Sequence, residues 1–370
     1  MYAHPNLDEW WKARNTRNYV QHIPSSTATL VVGGLFDAED CFGAWNLYKA
    51  INQKARNNNK LVIGPWFHGA WGGRSDGSYL GNVKFGSKTS EWYQNNIEVP
   101  FFDYYLKGKG DSAKIKEATV FFSGENQWHQ LPQWPPANEQ NQNLYLQPNG
   151  GLSWSKALGT NSFTEYTSDP NKPVPYTEDV HLDRTREYMT DDQRFASRRP
   201  DVIVFQTDTL VQDITLAGPL YADLFASIST TDADFVVKLI DVFPDNFRYT
   251  DDAAQTARSV ASSYPMGGYQ MLVRGEVMRG RYRNSFEKPE AFTPNKVEEV
   301  NFYLPDIAHT FKRGHRIMVQ VQSSWFPLVD RNPQNFVNIY EAKTTDFQKA
   351  QVKIYHSSQY PSSIVLPVLK

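Results

Sequence analysis

Cysteine is almost absent from this chain of 370 residues, because Cys41 is the only one. A single cysteine cannot build an internal disulfide framework or a metal site made of several thiolates. Long apolar runs are also missing, and no stretch approaches the roughly 20 residues that a membrane-spanning helix needs. The first residues lack a basic segment followed by an apolar one, so we do not interpret them as a signal peptide. A membrane is therefore not an expected partner.

An excess of positive charge is missing as well. The chain has 38 Lys and Arg against 40 Asp and Glu, a formal net charge of −2, and no extended basic run. A protein that binds nucleic acid needs a basic surface against the phosphate backbone, so nucleic acid is not an expected partner. The chain does contain 40% hydrophobic and 14% aromatic residues, and this length predicts two or three domains rather than one core.

Strand and helix patterns alternate in the first third of the chain. Residues 29–33 and 61–64 are short apolar runs that predict buried strands, and each is ended by glycine or proline. Residues 43–56 place apolar side chains at helical spacing, and residues 90–106 read as a further amphipathic helix. This alternation is typical of a parallel sheet with helices, so we expect residues 29–112 to form the last part of an α/β domain.

Short alternating runs dominate the sequence after residue 113. They are separated by stretches rich in proline, asparagine and glycine, for example residues 133–136 and 147–151. The runs that predict strands are residues 118–122, 144–146, 220–228, 235–242, 270–277, 300–304 and 316–322. Many short strands with such spacing predict a β-sandwich, and a jelly roll is the form that we expect for residues 113–370. The predicted fold class is thus α/β followed by all-β.

An acid and a histidine follow the two predicted parallel strands. Asp37 comes shortly after the first strand and His68 after the second, with one helix between them. Ligands of open α/β sheets bind at the carboxyl ends of the strands, and the acid precedes the histidine in the triad of α/β-hydrolases. In such a triad the histidine takes a proton from a nucleophile while the acid orients the imidazole. The alternative is structural, with Asp37 as a turn or capping residue and His68 as a packed side chain.

A nucleophilic serine is harder to find. Residues 73–77 read Gly-Arg-Ser-Asp-Gly and match the nucleophile-elbow pattern around Ser75, but they follow the histidine and have no buried strand before them. We interpret this match as accidental and expect the nucleophile, its strand and the oxyanion hole to lie upstream of Met1. The chain alone would then be an inactive fragment, poorly soluble or associated with itself or with the missing N-terminal hydrolase segment.

Two further carboxylates, Glu39 and Asp40, follow within three residues of Asp37. One interpretation is a solvated acidic helix start, which the helix dipole favours. The other is a carboxylate cluster that binds a substrate ammonium group through charge-assisted hydrogen bonds. The remaining histidines are interpreted as surface or structural residues: His4, His22, His129, His181, His309, His315 and His356.

These motifs together resemble one hydrolase family. It contains cocaine esterase, α-amino-acid ester hydrolases, glutaryl-7-aminocephalosporanic acid acylases and Xaa-Pro dipeptidyl-peptidases. Residues 34–40 (Gly-Leu-Phe-Asp-Ala-Glu-Asp) resemble its triad-acid motif, and residues 64–68 (Gly-Pro-Trp-Phe-His) its triad-histidine motif. The segments that resemble the end of its helical cap, its closing helix and its C-terminal jelly roll are residues 8–15, 101–108, 216–220 and 311–316.

The resemblance implies specific roles and a domain order. Asp37 would be the triad acid and His68 the triad base, while Glu39 and Asp40 match the positions with which α-amino-acid ester hydrolases bind the α-ammonium group. Residues 1–28 would be the end of the helical cap and its linker. The implied parent is a serine hydrolase of α-amino-acid esters or amides, similar to a β-lactam acylase, which needs no metal and no cofactor.

Two alternatives to this function stay open. The first is an Xaa-Pro dipeptidyl-peptidase, whose substrate also carries an ammonium group. The second is a non-catalytic jelly-roll module that binds carbohydrate or protein, as β-sandwiches with exposed aromatic residues do. Each of these three functions is compatible with a homo-oligomer.

Overall fold

A computed structural model describes residues 2–249 and 264–370. The first part of the chain combines a small sheet with helices. Its helices and strands are α1 (Glu9–Lys12), β1 (Thr29–Gly34), α2 (Cys41–Lys54), β2 (Asn59–Gly64), β3 (Tyr79–Leu80), β4 (Val83–Lys84), α3 (Thr89–Tyr93), α4 (Val99–Lys107), β5 (Ala118–Phe122) and β6 (Gln127–Leu131). A π-helical turn over Gln94–Glu98 joins α3 to α4, so the helix expected over residues 90–106 is continuous.

The sheet of this first part has the order β1-β2-β5-β6. Strands β1, β2 and β5 are parallel, and β6 runs antiparallel at the edge. Helix α2 connects β1 to β2 and buries Trp45 and Tyr48 completely. The two hairpin strands β3 and β4 form a separate small ribbon beyond β2. The parallel α/β arrangement expected from the sequence is therefore present.

The first sheet continues past residue 112, where the sequence predicts the domain boundary. Ala118 of β5 pairs with Leu61 of β2, and β5 pairs with β6, so residues 118–131 complete the first sheet. Every residue of β5 is buried, which is the pattern of a strand inside a parallel sheet. A short continuous apolar run has no period that would distinguish such a strand from a sandwich strand.

The β-rich part consists of two antiparallel sheets. Its strands are β7 (Glu139–Leu146), β8 (Leu152–Ser153), β9 (Phe163–Ser168), β10 (Ile203–Gln206), β11 (Ile214–Ile228), β12 (Asp234–Val242), β13 (Gln270–Arg279), β14 (Glu298–Phe311), β15 (Arg316–Gln322), β16 (Ala350–Tyr355) and β17 (Ser363–Leu369), and a short helix α5 (Arg194–Ser197) precedes β10. One sheet has the order β10-β15-β12-β13, and the other has the order β8-β7-β17-β11-β16-β9 with β14 also paired to β11.

The inner faces of these two sheets share one buried apolar cluster. It includes Phe205, Leu239 and Val319 of the first sheet and Leu220, Val300 and Ile364 of the second. Face-to-face packing of two antiparallel sheets buries one side of each, which is how a sandwich forms its core. The chain is thus mostly β-sheet, and the more specific jelly-roll topology stays a prediction. No helix among the described residues is long and apolar enough to span a membrane.

Buried polar contacts tie the α/β part to the sandwich. The carboxylate of Asp306 on β14 is fully buried and accepts hydrogen bonds from Lys49 of α2, at 2.7 Å, and from the indole of Trp134, also at 2.7 Å. Ser123, directly after β5, contacts Nδ1 of His309 at 2.8 Å, and Asp241 lies between His309 and His315. These two histidines are structural, in agreement with the sequence analysis, and the contacts make the two parts one body.

One lysine, Lys238 of β12, is fully buried on the face of its sheet that points away from the sandwich core. Its Nζ donates a hydrogen bond to Oε1 of Gln193 at 2.9 Å and lies 5.2 Å from the ring centre of Trp325. No carboxylate takes part in either contact. Burial lowers the pKa of Lys238 to about 7, because the charged ammonium form loses its hydration.

The unfolding free energy should depend on pH through Lys238. Between pH 7 and 10 the unfolded chain binds a proton that the folded chain has released, so stability rises with pH, by up to about 1.4 kcal/mol per pH unit. Lys238→Met has no group that titrates at this position, so it lacks this pH dependence of the unfolding free energy. The stability that the variant gains over wild type at low pH should therefore shrink as the pH rises. Urea unfolding between pH 6 and 9 measures it. The exposed Lys349→Met is the control, and parallel pH profiles for wild type and Lys238→Met would contradict the prediction.

Candidate active site

The candidate site lies where β1 and β2 end. The two strands are parallel, and Gly34 at the end of β1 pairs with Gly64 at the end of β2. The chain therefore leaves both strands at the same edge of the sheet, where open α/β sheets bind their ligands. Backbone pairing continues past the strands, since Leu35 N donates to Gly64 O at 2.8 Å and Phe36 N to Trp66 O at 3.2 Å.

Glycine is required at position 34 because the second segment passes very close to it. A Cβ atom at Gly34 would lie 2.1 Å from the carbonyl oxygen of Trp66, which is backbone and cannot move aside cheaply. The absence of a side chain thus allows the segment after β1 to lie against the segment after β2. This approach brings Asp37, three residues further along the first segment, towards His68 of the second.

Asp37 and His68 meet, as the sequence predicted. Asp37 Oδ2 lies 3.0 Å from His68 Nδ1, while Oδ1 accepts hydrogen bonds from the backbone amides of Glu39, at 2.8 Å, and Asp40, at 2.9 Å. The Asp37 side chain is only 1% exposed. An ionised carboxylate only accepts hydrogen bonds, so in the neutral form of His68 this contact assigns the proton to Nδ1 and leaves the outward Nε2 as the acceptor.

The imidazole of His68 is open to its surroundings on the other side. Its side chain is 44% exposed, and its ring makes a T-shaped contact with Trp71, with ring centres 5.9 Å apart. Nε2 lies 3.8 Å from a carboxylate oxygen of Glu39. Within residues 2–249 and 264–370, no hydroxyl group is recorded as a hydrogen-bond partner of Nε2. The arrangement can accept a proton from a group that approaches Nε2 and can stabilise the resulting imidazolium.

The two further carboxylates of the sequence motif are placed differently. The side chain of Glu39 lies beside His68 and is also paired with Arg184, whose guanidinium donates to Oε1 at 2.8 Å. Asp40 lies immediately before α2, and its carboxyl group is next to the backbone of Gly43. Partial burial and the negative charge of Asp37 raise the pKa of Asp40. Glu39 therefore faces the imidazole directly, whereas Asp40 borders the first turn of the helix.

The serine pattern at residues 73–77 has no nucleophile-elbow geometry. It follows a 3₁₀ turn over Ala70–Gly72 and lies in a loop before β3. Ser75 Oγ accepts a hydrogen bond from the backbone amide of Gly77 at 3.0 Å, which is a local turn contact. An elbow requires a strand before the serine and a helix after it. The interpretation of this match as accidental agrees with the structure.

The sequence analysis missed the residues that the sandwich contributes to this region. Arg274 of β13 is buried and donates to the carbonyl oxygen of Leu35, at 2.6 Å, and to that of Asp306, at 2.7 Å. It also approaches the sulfur of Cys41 at 3.1 Å. Burial raises the pKa of Cys41 to about 11, so this thiol stays protonated and unreactive. Arg274 holds the segment after β1 against the sandwich.

A cavity of about 310 Å³ lies between the segment after β1 and the sandwich. Residues from both parts line it, including Asp37, Glu39, Tyr188, Arg274, Glu276 and Trp325. Burial raises the pKa of Glu276 and raises that of Tyr188 to about 12, so neither side chain ionises as readily as it would in water. No group of three or more metal-ligating side chains is present in the part of the chain that the structure describes.

Comparisons with known proteins agree with this geometry. A model of the X-Pro dipeptidyl-peptidase C-terminal non-catalytic domain matches residues 100–365, and a model of the X-Pro dipeptidyl-peptidase family S15 matches residues 1–70. The first of these covers more than half of the chain. The chain belongs to the X-Pro dipeptidyl-peptidase family. The family expected from the motifs is therefore confirmed, and its known relatives are hydrolases.

Three known proteins show how much of the chain the likeness covers. Cocaine esterase from Rhodococcus sp. strain MB1 Bresler is 29% identical over 99% of the chain and 60% of the esterase. An aminopeptidase from a marine sediment Thaumarchaeota archaeon is 38% identical with a TM-score of 0.91, over 100% of the chain and 59% of the aminopeptidase. An α-amino acid ester hydrolase is 38% identical with a TM-score of 0.90, over 99% and 59%. The chain thus spans about three fifths of the length of these proteins.

Replacing Gly34 tests the close approach of the two segments. Gly34→Ala should lower the unfolding free energy by about 1–3 kcal/mol, because the new methyl group must displace the backbone at Trp66. Gly72→Ala is the matched control, since a Cβ there meets no atom within 4 Å and should change the stability by less than about 0.5 kcal/mol. Urea unfolding measures both. Equal stability of the two variants would contradict the steric argument.

Replacing Asp37 tests which nitrogen of His68 carries the proton. In Asp37→Asn the amide oxygen should keep the contacts with the backbone amides of Glu39 and Asp40, which turns the NH2 group towards His68. Nδ1 must then accept, so the proton moves to Nε2. Nitrogen-15 NMR of labelled histidine distinguishes the two tautomers of the neutral ring. Glu39→Gln should leave the tautomer unchanged, and a proton that stays on Nδ1 in Asp37→Asn would argue against the assigned contact.

Proposed function

We propose that these residues belong to a serine hydrolase that cleaves esters or amides of α-amino acids and can transfer the acyl group to an amine. The observation that supports this most directly is the contact of Asp37 with His68 Nδ1 at 3.0 Å, with Nε2 facing outward at the strand ends. An acid and an imidazole in this relation at strand ends match two members of a catalytic triad, and their order in the chain is that of α/β-hydrolases.

His68 would act first as a base and then as an acid. Nε2 takes the proton of the nucleophilic hydroxyl as that oxygen attacks the carbonyl carbon of the substrate, and the imidazolium then protonates the departing alkoxide or amine. Asp37 keeps the ring in the required tautomer and stabilises its positive charge throughout. The acyl group remains on the serine as an ester, and water or an acceptor amine attacks that ester in the second half of the reaction.

The serine itself is proposed to lie outside these 370 residues. The loop position of Ser75 and the free outward side of His68 Nε2 support this proposal. So does the length of the relatives, of which the chain spans about three fifths. The N-terminal hydrolase segment would place the nucleophile against His68 and would also cover β1, whose recorded pairing is with β2 alone among the described strands. A homo-oligomer is compatible with this arrangement.

The acyl specificity follows from Glu39 in this proposal. Its carboxylate lies next to His68, so an α-ammonium group bound to Glu39 would place the neighbouring carbonyl group close to Nε2. Asp40 adds negative charge from the start of α2. Two solved relatives, named an aminopeptidase and an α-amino acid ester hydrolase, act on groups of this kind by their names. The small molecule expected at the site is therefore an amino-acyl ester or amide.

The finer domain assignment is also part of the proposal. Residues 1–28 would be the end of a helical cap, and the sandwich would be a jelly roll of the X-Pro dipeptidyl-peptidase C-terminal type. The family model that matches residues 100–365 supports the second assignment. The α/β part then extends through β6, as the pairing of β5 with β2 requires.

The test uses the complete hydrolase, in which these residues are joined to the nucleophile. His68→Ala and Asp37→Asn should each lower kcat on α-amino-acid methyl esters by about a hundredfold or more, because each removes part of the group that transfers the proton. The exposed His22→Ala is the matched control and should keep full turnover. Stopped assays of ester hydrolysis measure all three. Unchanged turnover in both site variants would end this assignment.

Xaa-Pro dipeptidyl-peptidase activity is the second candidate. Both matching family models carry the X-Pro dipeptidyl-peptidase name, which favours it. The same acid and histidine would serve, and the ammonium group of a dipeptidyl substrate also needs an anion. Turnover of proline-containing dipeptide anilides that exceeds turnover of amino-acid methyl esters would favour the peptidase over the ester hydrolase.

A further inference from the structure

A segment of the sandwich, residues 177–189, lies across both strand-end segments of the candidate site. Arg184 of this segment donates to Oε1 of Glu39 at 2.8 Å. Two residues further, the guanidinium of Arg186 lies 4.7 Å from the ring centre of Phe67, the neighbour of His68. The segment therefore contacts the acid-bearing segment with one arginine and the histidine-bearing segment with the other.

Contacts within the sandwich hold this segment in place. The backbone amide of Thr185 donates to the hydroxyl of Tyr176 at 3.1 Å, and Tyr176 is itself paired by its backbone with Phe326 at 2.9 Å. Thr177 contacts a carboxylate oxygen of Asp191 at the other end of the segment. The position of Arg184 is thus set by the fold around it, although its side chain remains one third exposed.

The carboxylate of Glu39 is shared between two cationic or potentially cationic groups. Oε1 is paired with Arg184, and Oε2 lies 3.8 Å from His68 Nε2. The Glu39 side chain is 52% exposed, so water screens both contacts. An exposed pair of this kind contributes little stability, and another cation can replace its partner easily. Arg184 occupies the oxygen of Glu39 that is not turned towards the imidazole.

From this geometry we propose that Arg184 is a specificity-determining residue: its guanidinium competes with the α-ammonium group of the substrate for the carboxylate of Glu39. This inference rests on the proposed hydrolase function. Arg184 acts as an internal competitor, and an amino-acyl substrate binds by replacing it. A substrate without an ammonium group cannot make this exchange and gains nothing from Glu39.

The displaced guanidinium has a polar group nearby. The side chain of Arg184 lies close enough to the Tyr188 hydroxyl to counteract part of the effect of burial on that hydroxyl. Tyr188 lines the cavity next to Asp37 and belongs to the same segment as Arg184. Tyr188 is therefore a polar side chain of the same segment that lies beside Arg184.

The test compares two matched esters in the complete hydrolase, phenylglycine methyl ester and methyl phenylacetate, which differ only by the ammonium group. Arg184→Gln should lower KM for the phenylglycine ester by about twofold to fivefold, since an exposed ion pair no longer competes. KM for methyl phenylacetate should not change. Arg184→Lys, which keeps the positive charge, should stay close to wild type for both esters. The control is Arg199→Gln, which removes a similar arginine–carboxylate pair, with Asp201, elsewhere in the sandwich.

A binding measurement separates this inference from the proposed function. Phenylglycinol carries the ammonium group but no ester, and calorimetry can compare its affinity for wild type and Arg184→Gln with that of 2-phenylethanol. Tighter binding of phenylglycinol alone to Arg184→Gln supports the competition, even if neither ester is turned over and the hydrolase assignment fails. Weaker binding of phenylglycinol to Arg184→Gln than to wild type would contradict the competition between Arg184 and the ammonium group. So would an equal change in affinity for both alcohols, or an equal change in KM for both esters. These outcomes would leave the hydrolase assignment intact.

Discussion

The close approach of two backbone segments at Gly34 and Trp66 is the constraint on which the candidate site depends. Parallel pairing of β1 with β2 brings both segments to one edge of the sheet, and the missing side chain at Gly34 allows them to pair beyond the strand ends. The buried carboxylate of Asp37 then has only one orientation in which all its hydrogen bonds are made, and this orientation points Oδ2 at His68. The geometry of the pair thus follows from backbone packing.

Much of this arrangement could be predicted from the sequence, for a specific physical reason. Two short apolar strands joined by one helix form a parallel pair in most α/β sheets, and the residues that follow paired parallel strands lie at the same edge. This rule alone predicted the contact between Asp37 and His68, and the rest of the fold was not needed for it. The placement of β5 could not be predicted in the same way, because a fully buried strand has no alternation that reveals its sheet.

The contributions of the sandwich to the site were hidden for a different reason. Arg184 lies 145 positions from Glu39 in a segment without regular structure, and Arg274 lies 239 positions from Leu35. No local pattern carries information about such pairs. The two carboxylates after Asp37 were recognised as a cluster, but their different surroundings depend on where α2 starts and on Arg184. The local sequence therefore predicts the reactive residues at the strand ends. The residues that surround and orient them come from distant parts of the chain, and only the tertiary structure reveals them.

The hydrogen bond from Arg274 to the carbonyl oxygen of Leu35 can form only late during synthesis of the chain. During synthesis, the segment that carries Asp37 leaves the ribosome well before its anchor on β13, which is 239 residues later. At about 5–20 residues per second, this delay lasts from about 12 to 48 seconds. Throughout that interval the acid-bearing segment lacks one of the contacts that fix it. The nascent chain can therefore fix the segment that carries Asp37 only after the sandwich strands up to β13 have been translated. The site thus depends on a contact that forms late, between residues that are far apart in sequence.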